Sequence, residues 1–597
     1  MDGEISRSYK DISTGECLKT LGAEIGDFKA PSIATPLCMI LEVVMEMMVP
    51  LLMARIIDFG VEANDMDVIL KTGGLMLLLA LMGLLAGIGG GVFGAKASAG
   101  LAMNLRSRLY RSIQTFSFSN IDKFSTSGLI TRLTTDITNI QNAYQVLLRM
   151  AMRAPLSLVT AMTMAMIISP SLSMVYCVAV VFLGLFLFLI IRKVSVYFRQ
   201  VFEKYDDLNA SVQENVSAIR VVKAYVREDY EKSRFDKAVD NLYKMFIRAE
   251  SLMVTNMPVM QATVYTCILL ISWLGAHAIV RGELTTGELM SLLAYCMSIL
   301  MSLMMLSLIF VMLTMSFASA QRVTEVIKEK SDIVNPKDPV FEVKDGSVDF
   351  EGVSFGYNKS AEEYVLKNID LHIGPGEITG IIGGTGSAKS SLVSLIPRLY
   401  DVSEGCVRVG GIDVRKYDLV TLRDQVAMVL QQNNLFSGTV LENLRWGDKN
   451  ASPEDCVRVC RMAQADEFIE KMSGKYEAHI DQGGANLSGG QRQRLCIARA
   501  LIKKPKIIIF DDSTSAVDTA TDAKIRKAMS EEIPDTTVFI IAQRVSSVMN
   551  ADRIIVMDDG MISAIGTHEE LLESSDIYKD VYESQTGGTG DFDNPYD

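Results

Sequence analysis

Residues 383–391 read Gly383-Gly384-Thr385-Gly386-Ser387-Ala388-Lys389-Ser390-Ser391, types and spacing suited to wrapping phosphate. They follow the β-leaning run 378–382 and precede an apolar periodicity at Leu392, Leu395, Ile396 and Leu399. Strand, Gly-rich loop and helix is the setting in which backbone amides and a helix N-terminus cradle phosphates. In such a P-loop Lys389 would reach the β- and γ-phosphates and Ser390 would ligate Mg²⁺. The residue before the lysine is ordinarily Gly, and here it is Ala388. A Cβ there strains the loop if φ is positive and is nearly silent if φ is negative. Far downstream, residues 507–510 (Ile-Ile-Ile-Phe) read as a buried strand ending in Asp511-Asp512. An acidic residue at the end of a parallel strand beside a P-loop is the Walker B arrangement, holding Mg²⁺ through water. The chemistry this predicts is that of a nucleoside triphosphate and Mg²⁺.

Between the two elements lies Leu487-Ser488-Gly489-Gly490-Gln491, followed by Arg492-Gln493-Arg494. With this pentapeptide in order between the Walker elements, the chain resembles an ATP-binding cassette (ABC) transporter of the exporter type. The resemblance covers about residues 31–585 and implies a membrane domain fused ahead of one cassette. Several roles follow from it alone. Tyr357 in Phe-Gly-Tyr corresponds to the aromatic that stacks on adenine. Gln431 corresponds to a Mg²⁺ ligand that senses the γ-phosphate. Ser515 and Asp518, in Ser-Ala-Val-Asp, correspond to the D-loop. The pentapeptide would close over the ATP held by a partner cassette.

Two departures from the family pattern bear on catalysis. The catalytic base of the family is a Glu directly after the Walker B Asp, and this chain has Asp512. Asp is one methylene shorter, and a misplacement of about 1 Å costs roughly a hundredfold in rate. The switch histidine of the family falls in an Ile-Ala-His-Arg run, where this chain has Gln543. Gln donates a hydrogen bond but carries neither positive charge nor a mobile proton. With the phosphate grip retained, base and switch altered, and the signature intact, the pattern resembles the degenerate half of heterodimeric bacterial multidrug-type exporters. A partner with Glu and His in place and an altered signature is then expected.

The elements that must position these residues begin with a membrane part. The chain has 597 residues, too long for one domain, and 49% of them are hydrophobic. Apolar stretches at about 32–58, 73–97, 147–169, 171–192, 252–280 and 286–317 each exceed the roughly 20 residues that span a bilayer. The expected architecture is an all-α six-helix transmembrane domain followed by an α/β P-loop NTPase domain. The divisions are a lead-in at 1–30 with a short amphipathic helix, the membrane domain at 31–327, a charged linker at 328–339, the nucleotide-binding domain at 340–585 and a disordered tail at 586–597. Basic residues Arg106, Arg108, Arg111, Arg149, Arg153, Arg192, Lys193, Arg199 and Lys204 mark the inner segments. By the positive-inside rule both termini and the long segments 98–146 and 193–251 face the cytosol of a bacterium. Each long segment breaks its periodicity, near 117–127 and 224–234. The breaks read as turns between helices or, on the resemblance, as crosswise coupling helices that press on the cassettes. The net charge of −13 argues against nucleic acid as a partner. The nine cysteines form no CxxC pair, and Cys456 and Cys460 read as core packing on a helix. The first 30 residues lack the apolar core of a signal peptide.

Glu42 and Glu46 lie i,i+4 inside the first span. Acids in a bilayer are functional by default, and two readings fit: a site for cationic amphiphiles, or a polar contact between helices. The Met-studded sixth span suits a promiscuous apolar surface and also ordinary filling. Drug, lipid and hydrophobic peptide all remain open as cargo, the last weakened by the lack of a peptidase-like extension before the first span. An ATP-gated regulator or channel, and a slow homodimeric exporter, are the alternative functions.

Overall fold

The computed structural model describes residues 12–357, 363–512 and 518–586. Of the expected tail at 586–597, Thr586 is the last residue of a helix (Asp576–Thr586), and residues 587–597 lie outside the described ones, as does Ser515 of the D-loop. The chain divides into two units, Met1–Gln114 with Ser125–Glu329, and Thr115–Phe124 with Lys330–Asp597.

The first unit is helical. Among the described residues six helical runs are long and apolar enough to cross a membrane: Gly26–Val61, Met66–Gln114, Thr126–Ile168, Pro170–Val194, Glu228–Val280 and Thr286–Phe310. The lead-in carries helix α1 (Thr14–Ala23), N-capped by Ser13 and seated with Cys17 buried. Its Glu16 pairs with Lys328, the last residue of the helix Thr286–Lys328 that carries the sixth run. Helix α2 (Lys29–Ile56) keeps Pro36 and Pro50 in its interior. Beside Pro50, the hydroxyls of Ser291 and Tyr295 donate to the carbonyls of Pro50 and Met47 at 2.6 and 2.7 Å. These donors join the sixth run to α2 beside the proline. Helix α3 (Met66–Gln114) approaches α2 through Gly90, where a Cβ would lie 2.2 Å from Met39 Cε. Small residues at a crossing are the means of close helix contact in lipid.

The expected breaks are present, one of them displaced. The first is α4 (Phe118–Phe124), which groups with the second unit. The second short helix is α5 (Ile219–Ala224), several residues before the predicted 224–234. From Glu228 the chain is one helix to Val254, its first turn carrying Glu228, Asp229 and Glu231. Acids there complement the helix dipole, so the helix restarts directly after the non-helical residues 225–227.

The second unit is α/β. Strands β1 (Val348–Phe355), β2 (Leu366–Ile373), β4 (Glu404–Val409) and β5 (Ile412–Asp413) form one antiparallel sheet in the order β2-β1-β4-β5. The second sheet contains β3 (Ile378–Gly383), β6 (Val426–Val429), β9 (Ile507–Asp511), β10 (Thr537–Ile541), β11 (Arg553–Asp558) and β12 (Met561–Gly566), in the order β12-β11-β3-β10-β9-β6. A small pair, β7 (Gly438–Thr439) and β8 (His479–Ile480), stands apart. Five strands of the six-stranded sheet are parallel and β12 is antiparallel at the edge. The parallel strands are apolar along most of their length because both faces are covered. In β9, Ile508 and Phe510 join one core while Ile507 and Ile509 join the other. Consequently β3, β10, β9 and β6 are neighbours that all end on the same edge, where ligands of open α/β sheets bind.

Candidate functional site: the nucleotide edge of the parallel sheet

Each predicted phosphate-site residue follows one of these four strand ends. Gly383 ends β3 and opens the loop; a Cβ there would lie 2.2 Å from the carbonyl oxygen of Met557 on β11, so only glycine fits. The loop leads into the helix Lys389–Ser394. Lys389 turns back over the loop, its Nζ donating to the carbonyls of Gly383 and Gly384 at 2.9 and 2.8 Å. Burial holds its pKa below the ordinary lysine value. Ser390 Oγ donates to Asp511 Oδ1 at 2.6 Å, joining the two expected Mg²⁺ ligands across β3 and β9. Asp511 is buried, and desolvation raises its pKa despite the Ser390 hydrogen bond. A buried carboxylate with a hydroxyl beside it and a lysine nearby fits a divalent cation and phosphate.

Ala388 stands at φ 68°, ψ 23°, the left-handed region. Of the two outcomes open from the sequence, the strained one holds. A Cβ in this region costs about 1–2 kcal/mol.

The two departures from the family pattern meet each other. Gln543 follows β10, and its Nε2 donates to Asp512 Oδ2 at 2.8 Å. Gln431, beyond the end of β6, reaches the same oxygen at 3.4 Å. Asp512 itself has φ 47°, and its amide donates to Ile541 O on β10. Two side chains from two other strand ends, Gln543 and Gln431, thus converge on one short carboxylate. What steadies Gln543 is not legible from spacing: Gln585 in the last helix donates to its carbonyl at 2.9 Å and accepts from Val545 N at 2.8 Å.

Tyr357 lies past the end of β1 with half its surface open, its hydroxyl 2.8 Å from Ser391 Oγ. The pentapeptide has a local role that its family reading did not include. Ser488 caps the helix Gly489–Leu501, and Ser488 with Gln491 forms a reciprocal capping box. That arrangement fixes the exposed glycine turn between them. Asp518 likewise caps the helix Thr519–Glu532 through Thr521 N at 2.9 Å.

Within the first unit, Glu42 and Glu46 are bridged by one cation. Arg153 donates to Glu42 Oε1 at 2.7 Å and to Glu46 Oε2 at 2.8 Å. Arg153 therefore lies alongside the acids of the first span. Spacing alone hides this, because the partners are more than 100 positions apart. Glu46 and Arg153 border a cavity of about 580 Å³ whose other walls include Met150, Ser157, Met297 and Met301.

Comparison with known proteins agrees with this geometry. Residues 32–324 match the ABC transporter transmembrane region, and residues 366–515 match the ABC transporter family. The chain is 37% identical over 552 residues to the uncharacterized ABC transporter ATP-binding protein YfiB of Bacillus subtilis, covering 92% of this chain and 96% of that one. It is 35% identical over 551 residues to the uncharacterized ABC transporter ATP-binding protein Rv1273c of Mycobacterium tuberculosis, covering 91% and 94%. It is 31% identical over 487 residues to the ATP-dependent lipid A-core flippase of Desulfotalea psychrophila, covering 81% and 84%. A six-helix membrane domain, a P-loop beside a buried aspartate at the edge of a parallel sheet, and matches along both halves make this chain an ABC exporter half-transporter, a member of the ABC transporter family with an ATPase domain.

Proposed function

We propose that the chain is the catalytically impaired half of a heterodimeric exporter in a bacterial cytoplasmic membrane, with both termini and the ATPase domain cytosolic. Its own site holds Mg-ATP through Lys389, Ser390, Gln431 and Asp511 and hydrolyses it slowly. Its signature Leu487–Gln491 serves the ATP of a partner that carries the catalytic Glu and the switch His. The Mg²⁺ ion, when bound, would neutralise phosphate charge. The observation that carries the reading is the Gln543–Asp512 hydrogen bond at 2.8 Å beside a signature whose capping box is intact. Asp512 is short for a base, and the neutral amide of Gln543 engages it without a proton to relay. The cargo is a hydrophobic or amphipathic molecule. Support comes from the Met-walled cavity, from the one net negative charge of Glu42, Glu46 and Arg153, and from a relative named as a lipid flippase.

The test is ATP turnover by the purified chain in lipid nanodiscs, alone and with a half-transporter that carries Glu and His. Alone, turnover falls at least tenfold below the roughly 10 s⁻¹ typical of enzymes. With the partner it rises, and inside-out vesicles accumulate substrate only when ATP is supplied. Ordinary turnover by the chain alone would overturn the impaired-half reading in favour of a homodimeric exporter. Passive leak without accumulation would point to a gate.

A further inference from the structure

Gln585 clasps the loop that follows β10. Its Nε2 donates to the Gln543 carbonyl at 2.9 Å, and its Oε1 accepts from Val545 N at 2.8 Å. One side-chain amide, being both donor and acceptor, thus satisfies a carbonyl and an N–H two residues apart. The main chain is pinned on both sides of Arg544.

The clasp has a firm base. Gln585 sits in the last turn of the helix Asp576–Thr586. Tyr578 of that helix is fully buried, and its hydroxyl lies 2.7 Å from His568 Nδ1. Ile577, Val581 and Tyr582 pack on the core that contains Val545 and Val548. Burial therefore anchors the helix, while Gln585 itself is exposed and adds nothing to that packing.

What the pinned loop presents is the Gln543 side chain. Its Nε2 carries two protons, and one is given to Asp512 Oδ2 at 2.8 Å. Burial lowers the pKa of Lys389, and the nearby charge of Asp512 works against that shift. Asp512 and Gln543 therefore stand at the Lys389 end of the site, the end that meets the β- and γ-phosphates. The second proton of Gln543 Nε2 can serve a terminal phosphate oxygen there. Hydrogen bonds weaken steeply off their geometry, so a loop that drifts loses this contact.

We infer that Gln585 is a positioning residue of the nucleotide site: by pinning the main chain at Gln543 and Val545 it holds the Gln543 amide toward the terminal phosphate, and the last helix thereby sets how well the site tells ATP from ADP. The inference rests on the reading of this edge as an Mg-ATP site with Gln543 at the switch position.

The experiment measures binding of Mg-ATP and Mg-ADP to the full chain in nanodiscs. Gln585→Leu removes both bonds and should weaken ATP about fivefold, the worth of one ordinary hydrogen bond, while ADP stays within about twofold. Gln585→Glu keeps an acceptor for Val545 N but cannot donate to the Gln543 carbonyl at pH 7, and it should lose the same discrimination. Gln543→Ala removes the presented amide and should weaken ATP about tenfold, the loss of a hydrogen bond to a charged acceptor. Gln585→Leu added to Gln543→Ala should change nothing more, since the two act in series. Amide exchange in residues 543–547 should quicken in both Gln585 variants before any nucleotide is added. If both Gln585 variants keep the ATP-to-ADP ratio while Gln543→Ala loses it, the inference alone is overturned. If Gln543→Ala keeps the ratio as well, the reading of Gln543 as the switch position falls with it. Equal loss for both nucleotides in Gln585→Leu would mark a merely structural role and would also overturn the inference.

Discussion

Two side chains at the phosphate edge are held under load, and each gives a measurable consequence. Ala388 bears a Cβ at φ 68°. Ala388→Gly should relieve about 1 kcal/mol of strain, partly offset by a freer unfolded chain and the loss of a methyl packed on the core. The melting temperature of the ATPase domain should rise by about 2 °C in a thermal unfolding scan, and Mg-ATP affinity should not fall. A drop in melting temperature would mean that the methyl contact outweighs the strain. Asp511 is the second case. Its pKa is raised by burial, so the folded state binds the proton more tightly than the unfolded chain does. The benefit is full below the unfolded value of about 3.9 and is lost as pH rises through the folded value. At neutral pH without Mg²⁺ the buried charge is a burden. Asp511→Asn should therefore melt higher than the unaltered protein at pH 7, and the difference should shrink as pH is lowered toward about 4. The same variant should lose the thermal stabilisation that Mg-ATP gives.

At the scale of elements, the membrane unit is pinned by buried charge at the end of its third run. A π turn, Arg132–Asp136, interrupts the helix there. Arg132 donates to Glu325 at 3.0 Å, and Arg322 Nε donates to Asp136 at 2.8 Å. Arg132→Met leaves Glu325 buried without its partner and should cost about 3–5 kcal/mol. The double change Arg132→Met with Glu325→Leu should recover most of that loss in the melting temperature of the detergent-solubilised protein. Persistence of the full loss would show that the pair has no apolar substitute. None of this is legible in the chain, because a span is marked by its apolar run and these charges sit beyond its end. What could be read were features that local physics dictates: helix length against bilayer thickness, the strand–loop–helix of residues 378–399, and the acidic end of β9. Arg153 and Gln585 escaped for the opposite reason. Their partners Glu42, Glu46 and Gln543 are set by tertiary packing, and no period or spacing encodes them. The second short helix lies just before residues 224–234 because their composition marks the non-helical residues 225–227 and the charged start of the next helix, not the short helix itself.

For the whole molecule, the proposal of an impaired site turns on whether Asp512 and Gln543, rather than the scaffold around them, set the rate of hydrolysis. The strand ends that present Gln431, Asp512 and Gln543 are in register, and Asp511 and Ser390 already touch. The scaffold is therefore built for hydrolysis. Asp512→Glu lengthens the base by one methylene, and Gln543→His restores a side chain able to carry charge and shuttle a proton. A chain bearing both, assembled with a second copy of itself, would pair two restored sites with two intact signatures. Its ATP turnover should exceed that of the unaltered chain by about a hundredfold, the cost of a 1 Å misplacement. Asp512→Glu alone should recover part of it, since Gln543 still engages the carboxylate, and Gln543→His alone little, since the short base is unchanged. Steady-state phosphate release in nanodiscs reads all three. If the double variant stayed slow while binding Mg-ATP normally, the defect would lie elsewhere, with the strained loop at Ala388 the first place to look.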